Sequence, residues 1–159
     1  MIGMDYIARL PEFARALAAN DVLCRISAPS TGILLVKRAT LWQRLAHNLN
    51  EVNAIGFCRL STDGSSGAAM TFEETNEFAA AFPGSGAGMD ADGWTQPTVS
   101  GNVFRVSQFN LANGYEWARQ DEDDYILVPP SGRIGLRLLT APSASMTWNL
   151  ELDLLYLGA

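Results

Sequence analysis

The side chains best suited to acid–base or metal chemistry in this chain are one histidine, two cysteines and seventeen carboxylates. His47 stands in Leu45-Ala46-His47-Asn48-Leu49. A metal site needs several convergent ligands, and Asn50 and Glu51, three and four residues on, do not complete a set, so His47 reads as a loop or surface residue. A serine triad needs a base beside a nucleophile on a strained turn. Ser65-Ser66-Gly67 and Ser131-Gly132 do not match the Gly-x-Ser-x-Gly elbow. The run Gly84-Ser85-Gly86-Ala87-Gly88 precedes neither a lysine nor a helical pattern, so it is a loop and not a phosphate cradle. Glu73 and Glu74 are adjacent and diverge on either a helix or a strand, which is wrong for a paired acid and base. Asp121-Glu122-Asp123-Asp124 offers alternate oxygens for calcium but lacks the glycine and distal glutamate of an EF-hand loop. It reads as a solvated acidic turn.

Cys24 and Cys58 belong to no Cys-x-x-Cys pair and read as small buried thiols of a reducing compartment. The sequence therefore nominates no catalytic residue, metal ligand or cofactor, and the expectation is a protein that is not an enzyme. The remaining candidates are aromatic. Trp94, Tyr115 and Trp117 lie in loop-like or short-strand settings, where exposed rings would stack on sugars and buried ones would serve the core.

Composition narrows the class further. Hydrophobic residues make up 48% and charged residues 18% of 159 positions, enough apolar matter for one compact domain. The net charge is −6, and Lys37 is the single lysine, so the clustered basic surface that grips nucleic acid is missing. No apolar run approaches the roughly 18–20 residues of a membrane helix. The start of the chain, Met1-Ile2-Gly3-Met4-Asp5-Tyr6, lacks the pattern of a signal peptide.

The elements are mostly strands. From Met146 to Tyr156 the even positions read Met, Trp, Leu, Leu, Leu, Tyr, while the odd ones begin Thr, Asn, Glu, Asp. A two-residue period of that length predicts a half-buried antiparallel strand. Further strands are predicted over 22–27, 32–43, 53–62, 68–72, 102–110, 115–118, 125–128 and 132–140, separated by turns such as Asp63-Gly64 and Asn113-Gly114. One or two helical turns are expected after Phe72, and residues 83–101 read as a long loop. Tyr6, Leu10, Phe13 and Leu17 recur at spacings of four, three and four, which predicts a helix from Pro11 to about Ala19. So short a helix needs a surface to lie on, either its own sheet or another subunit. Residues 1–21 are thus expected to be an N-terminal helix or arm, and 22–159 an all-β sandwich.

The segment Ile126-Leu127-Val128-Pro129-Pro130-Ser131-Gly132-Arg133-Ile134-Gly135-Leu136-Arg137-Leu138 resembles a pattern of small virion proteins of tailed bacteriophages. The order of Arg38-Ala39-Thr40-Leu41-Trp42, Cys58-Arg59-Leu60-Ser61-Thr62 before a glycine loop, and the closing strand adds to the likeness. The resemblance spans about residues 30–157. It implies an antiparallel jelly-roll-like β-sandwich acting as a capsid decoration, or cement, protein on the capsid surface, present in the host cytoplasm during assembly. The implied partners are the major capsid protein and further copies of the chain, with a trimer favoured. Tyr6, Leu10, Phe13 and Leu17 would then be partner contacts, joined by Leu155 and Leu157 on the second face of the last strand. The rival expectation is a carbohydrate-binding or receptor-binding module using Trp94, Tyr115 and Trp117.

Overall fold

The computed structural model describes residues 3–44, 50–65, 67–75, 80–89, 94–121 and 123–158. Among them there are twelve strands and no helix. Four come first, β1 (Gly3–Arg15), β2 (Val22–Ser27), β3 (Gly32–Gln43) and β4 (Val52–Leu60). Short strands β5 (Ala68–Ala69), β6 (Thr71–Glu74) and β7 (Ser85–Gly88) follow, then β8 (Val99–Asn110), β9 (Tyr115–Ala118) and β10 (Ile126–Val128). The chain closes with β11 (Arg133–Leu138) and β12 (Met146–Gly158).

The first sheet runs β6-β1-β12-β3, with β9 and β10 sharing the far edge of β3, and the second runs β5-β7-β2-β11-β4-β8. Strands β1 to β4 fall alternately in the two sheets. The returning β11 then inserts between β2 and β4, and β12 between β1 and β3. Two Greek keys interleaved in this way form a jelly roll, so the expected all-β antiparallel sandwich is the observed fold. The segment between β4 and β8 adds β6 beside β1 and β7 beside β2, lengthening both sheets on the same side.

The predicted helix and arm at the N-terminus are absent, and β1 is an interior strand of the first sheet. It pairs with β12 from Gly3↔Leu157 to Arg15↔Met146. The helical spacing has a specific origin. Tyr6, Ala8 and Leu10 alternate inward, and a bulge between Leu10 and Phe13 inserts one residue that returns Phe13 to the inner face. Steps of two, two and three place apolar residues at 6, 10 and 13, as a helix would. Pro11 falls within that bulge, one of the few places in a sheet where a missing N–H is harmless. The strand expected at 68–72 is divided into β5 and β6, and the loop expected at 83–101 contains β7 and the start of β8.

The core between the sheets is continuous. Trp148, Tyr6, Phe57, Ile134, Leu136 and Leu41 are each at most 1% exposed. The even-numbered side chains of β12 from Met146 to Tyr156 all point inward, as their period requires. Removing a large ring from such a site leaves a cavity as well as lost burial. Trp148→Ala is expected to destabilise the protein by about 3–5 kcal/mol, read as a fall in the urea midpoint with little change in slope.

Candidate docking surface

Inward alternation on β12 turns its odd residues out. Thr147, Asn149, Glu151 and Asp153 suit solvent, whereas Leu155 and Leu157 do not. Pairing across the sheet extends these two leucines into a band. Leu155 lies opposite Leu35, which lies opposite Leu127, and Leu157 lies opposite Ile33. Leu127 is 47% exposed and the other four are half-buried. Five aliphatic side chains on three neighbouring strands therefore form an apolar band on the solvent face of the first sheet.

A lattice of ion pairs borders the band. Lys37 Nζ meets Asp5 Oδ1 at 2.6 Å, and Arg38 reaches Asp153 at 3.1 Å and Glu151 at 3.3 Å. A bulge between Asp153 and Leu154 sets Lys37 and Arg38, consecutive on β3, on the same outer face. Arg9 bridges Glu151 at 2.7 Å and also pairs with Glu73, while Glu116 lies 3.8 Å from Arg38. The Glu151 hydrogen bond holds the Arg9 guanidinium above its ordinary pKa. Such exposed pairs add little stability each. These pairs set three cations against five carboxylates around the band, and the Arg44–Glu12 pair adds one of each, so among the described ion pairs acids are in excess.

Among the described residues the outer face of the second sheet has the opposite balance. Arg25, Arg133 and Arg137 stand on it, on the side of β2 and β11 away from Ile26, Ile134 and Leu136. Arg25 and Arg133 converge on Asp63. Arg137 donates from Nε to the Asn20 carbonyl at 3.0 Å and has no carboxylate partner among the described residues. Val106, next to the Gly56 that pairs with Arg137, is 52% exposed, and Val52, further along β4, is 60% exposed. A smaller buried cluster of Val22, Cys58 and Leu60 lies on the same side, covered by Val99 and Val103 from β8. Residues between Phe104 and Ser100 outnumber their β4 counterparts, so β8 arches outward there and Val103 settles over Gly56.

The other nominated residues fall elsewhere. Tyr6, Leu10, Phe13 and Leu17 are 1–4% exposed in the chain's own core, out of reach of a partner. The Tyr6 hydroxyl donates to the Ala80 carbonyl at 2.6 Å, and its ring meets Phe82 edge-on at 5.1 Å. Trp94 and Tyr115, expected as stacking platforms, are buried at 7% and 4% exposure. Trp94 packs against the Gly67 backbone, where an added Cβ would come within 2.0 Å of the ring. Burial pushes the Tyr115 phenol well above its ordinary pKa. Trp117 is half-buried, edge-on to Phe57 at 5.2 Å, and the three rings form no shared exposed platform.

Cys24 and Cys58 are free and buried, which pushes their thiols up to about 12 and about 11. Strand β11 separates their strands by two ladder spacings, roughly 9–10 Å, beyond disulfide reach. His47 lies outside the described residues. Asp121, Asp123 and Asp124 border a shallow surface cleft with Gln120 and Arg105, and Arg105 pairs with Asp124. Among the described residues no three His, Cys, Asp or Glu side chains are grouped to hold a metal.

Ile33, Leu35 and Leu127 were not singled out by sequence, yet a signal existed. Residues 32–36, 126–128 and 154–157 are unbroken apolar runs rather than alternating ones, so each must present apolar residues on both faces.

No family model matches the chain, and no curated protein matches it in sequence. Among solved structures the chain is similar to one in "The three-dimensional structure of Cocksfoot mottle virus", with 11% identity and a TM-score of 0.29, covering 96% of this chain and 84% of that one. A score that low carries no argument. The jelly-roll assignment rests on strand order and pairing alone.

Asp63 provides a titratable readout of the basic face. Its hydrogen bond from Arg133, aided by Arg25, holds the carboxyl below its ordinary value. A depressed folded pKa contributes stability above the unfolded value of about 4 that is lost as pH falls through the lower folded one. Asp63→Asn is therefore expected to be less stable than wild type at neutral pH, with the gap closing below about pH 4, measured by thermal melting across a pH series.

Proposed function

We propose that this protein is a non-catalytic structural subunit of a virion, a capsid decoration protein that adheres through the apolar band of its first sheet. The observation that carries the reading is Leu127, 47% exposed, in register with Leu35 and Leu155. Solitary exposed leucines are ordinary; five aliphatic side chains in one band, rimmed by ion pairs, support reading it as an interaction surface. Jelly rolls also serve lectins and cupins, so the fold alone does not choose. The burial of Trp94 and Tyr115 takes away two of the three residues on which the carbohydrate alternative rests, leaving the half-buried Trp117.

Magnitudes suit cement better than a solitary tight complex. Five partly exposed aliphatic side chains present on the order of 250 Å² of apolar surface, about 6 kcal/mol of gross transfer free energy. Loss of rotational and translational freedom on association costs about 4–15 kcal/mol. A single contact of this size is therefore weak. Repeated by symmetry over a shell it becomes strong, and because it exists only in the assembled state it stabilises that state against expansion and rupture.

The test is co-sedimentation with purified, expanded tailed-phage heads. Wild-type protein is expected to pellet with the heads, and Leu127→Glu to lose at least about tenfold in apparent affinity while keeping its melting temperature. Protein that stays in the supernatant at every head concentration would count against the reading.

A further inference from the structure

The two outer faces differ in a way that identifies what covers the band. We infer that the occupant of the first sheet's apolar band is the outer face of the second sheet of another copy of this chain, in a head-to-tail contact. The inference rests on the reading that the band is an adhesive surface, and it adds the partner and the geometry.

Charge is the first argument. The chain carries −6 overall, so copies repel on average and must meet through faces of opposite sign. The ion pairs around the band set five carboxylates against three cations, whereas the opposite side of the molecule carries Arg133, Arg137 and the largely covered Arg25 against Asp63. A two-fold contact of band on band would juxtapose two acidic faces. Head-to-tail stacking juxtaposes an acidic face with a basic one.

Apolar surface is the second. Val52 and Val106 stand well exposed on the outer side of β4 and β8, and Val106 lies beside the Gly56 that pairs with Arg137. The basic face thus has exposed apolar side chains of its own, Val106 beside Arg137, to set against Leu127 and Leu35. The third argument is spare valence. Arg137 has no carboxylate partner among the described residues, and Glu116, with its side chain 63% exposed, is the most weakly held acid of the lattice at 3.8 Å from Arg38. Each is left with bonding capacity that a neighbouring copy supplies.

Unlike faces in contact form a heterologous interface, which closes into a ring when its rotation permits and does not produce a two-fold dimer. Sedimentation velocity on the full chain tests this directly. Wild type is expected to form a species of three or more copies. Glu116→Arg and Arg137→Glu are each expected to weaken association at least about tenfold, and the double variant to recover to within about threefold of wild type. Val106→Glu, at a side chain with little burial to lose, is expected to dissociate the assembly into folded monomers, with the fold checked by thermal melting.

A two-fold dimer, or a charge-reversed pair that fails to recover, overturns the contact. So does a wild-type chain still monomeric at about 100 μM. Protein that binds phage heads but stays monomeric sinks this contact and leaves the adhesive band standing. A ring that ignores heads supports the contact and sinks the capsid role.

Discussion

Strand β12 is hydrogen-bonded along its length to β1 on one side and β3 on the other, and its even-numbered side chains from Met146 to Tyr156 fill the middle of the core. The rest of the structure depends on that arrangement. Because side chains alternate at a period of two, fixing which face of β12 is inside fixes the faces of its neighbours through register. A slip of one residue would carry Trp148 and Leu150 into water and bring Glu151 and Asp153 into the core. The charged lattice on the outer face is thus a consequence of the core, and its arginines reinforce the register the core selects.

Bulges supply the exceptions. The extra residue between Leu10 and Phe13 keeps Phe13 buried, the one in β3 places Lys37 and Arg38 together outside, and the arch of β8 lays Val103 over Gly56. The same bulge in β3 separates its two edge partners, with β10 pairing residues up to Val36 and β9 beginning at Arg38. Each bulge breaks the alternation where a strand must bend, and each relocates side chains that decide how the surface presents itself. The inserted strands β6 and β7 have a complementary effect. They pair the edges of β1 and β2 that would otherwise stand open to further strands.

Function on such a scaffold is a property of the faces that the core leaves over. A sandwich needs one apolar face per sheet, and the opposite faces can be wholly polar. Here they are not, because Leu127 and its neighbours interrupt one outer face, and Val52 and Val106 interrupt the other. The decoration reading and the head-to-tail contact both follow from taking that surplus of apolar surface as used. The residues first nominated for partners and sugars mostly belong to the core instead. Aromatic and branched side chains at strand positions are core by default, and a short sequence spacing does not reveal on which side of a sheet they stand.

The sequence by itself determined the fold class, the inward face of β12, the turns at Asp63-Gly64 and Asn113-Gly114, and the strandedness of most of the chain. These are local properties, set by the period of apolar residues and by turn chemistry within a few positions. The N-terminal segment was misread for an equally local reason, since a bulge imitates helical spacing and only pairing with β12 distinguishes the two. Leu155 and Leu157 were legible as misplaced on a solvent face, but their partners Leu35, Ile33 and Leu127 were not, being over a hundred positions away in two cases and nearly thirty in the third. The tertiary structure alone decided that these five side chains form one band, because strand order in a jelly roll brings together segments from the beginning, middle and end of the chain. Register is a long-range property, and no window along the sequence contains it.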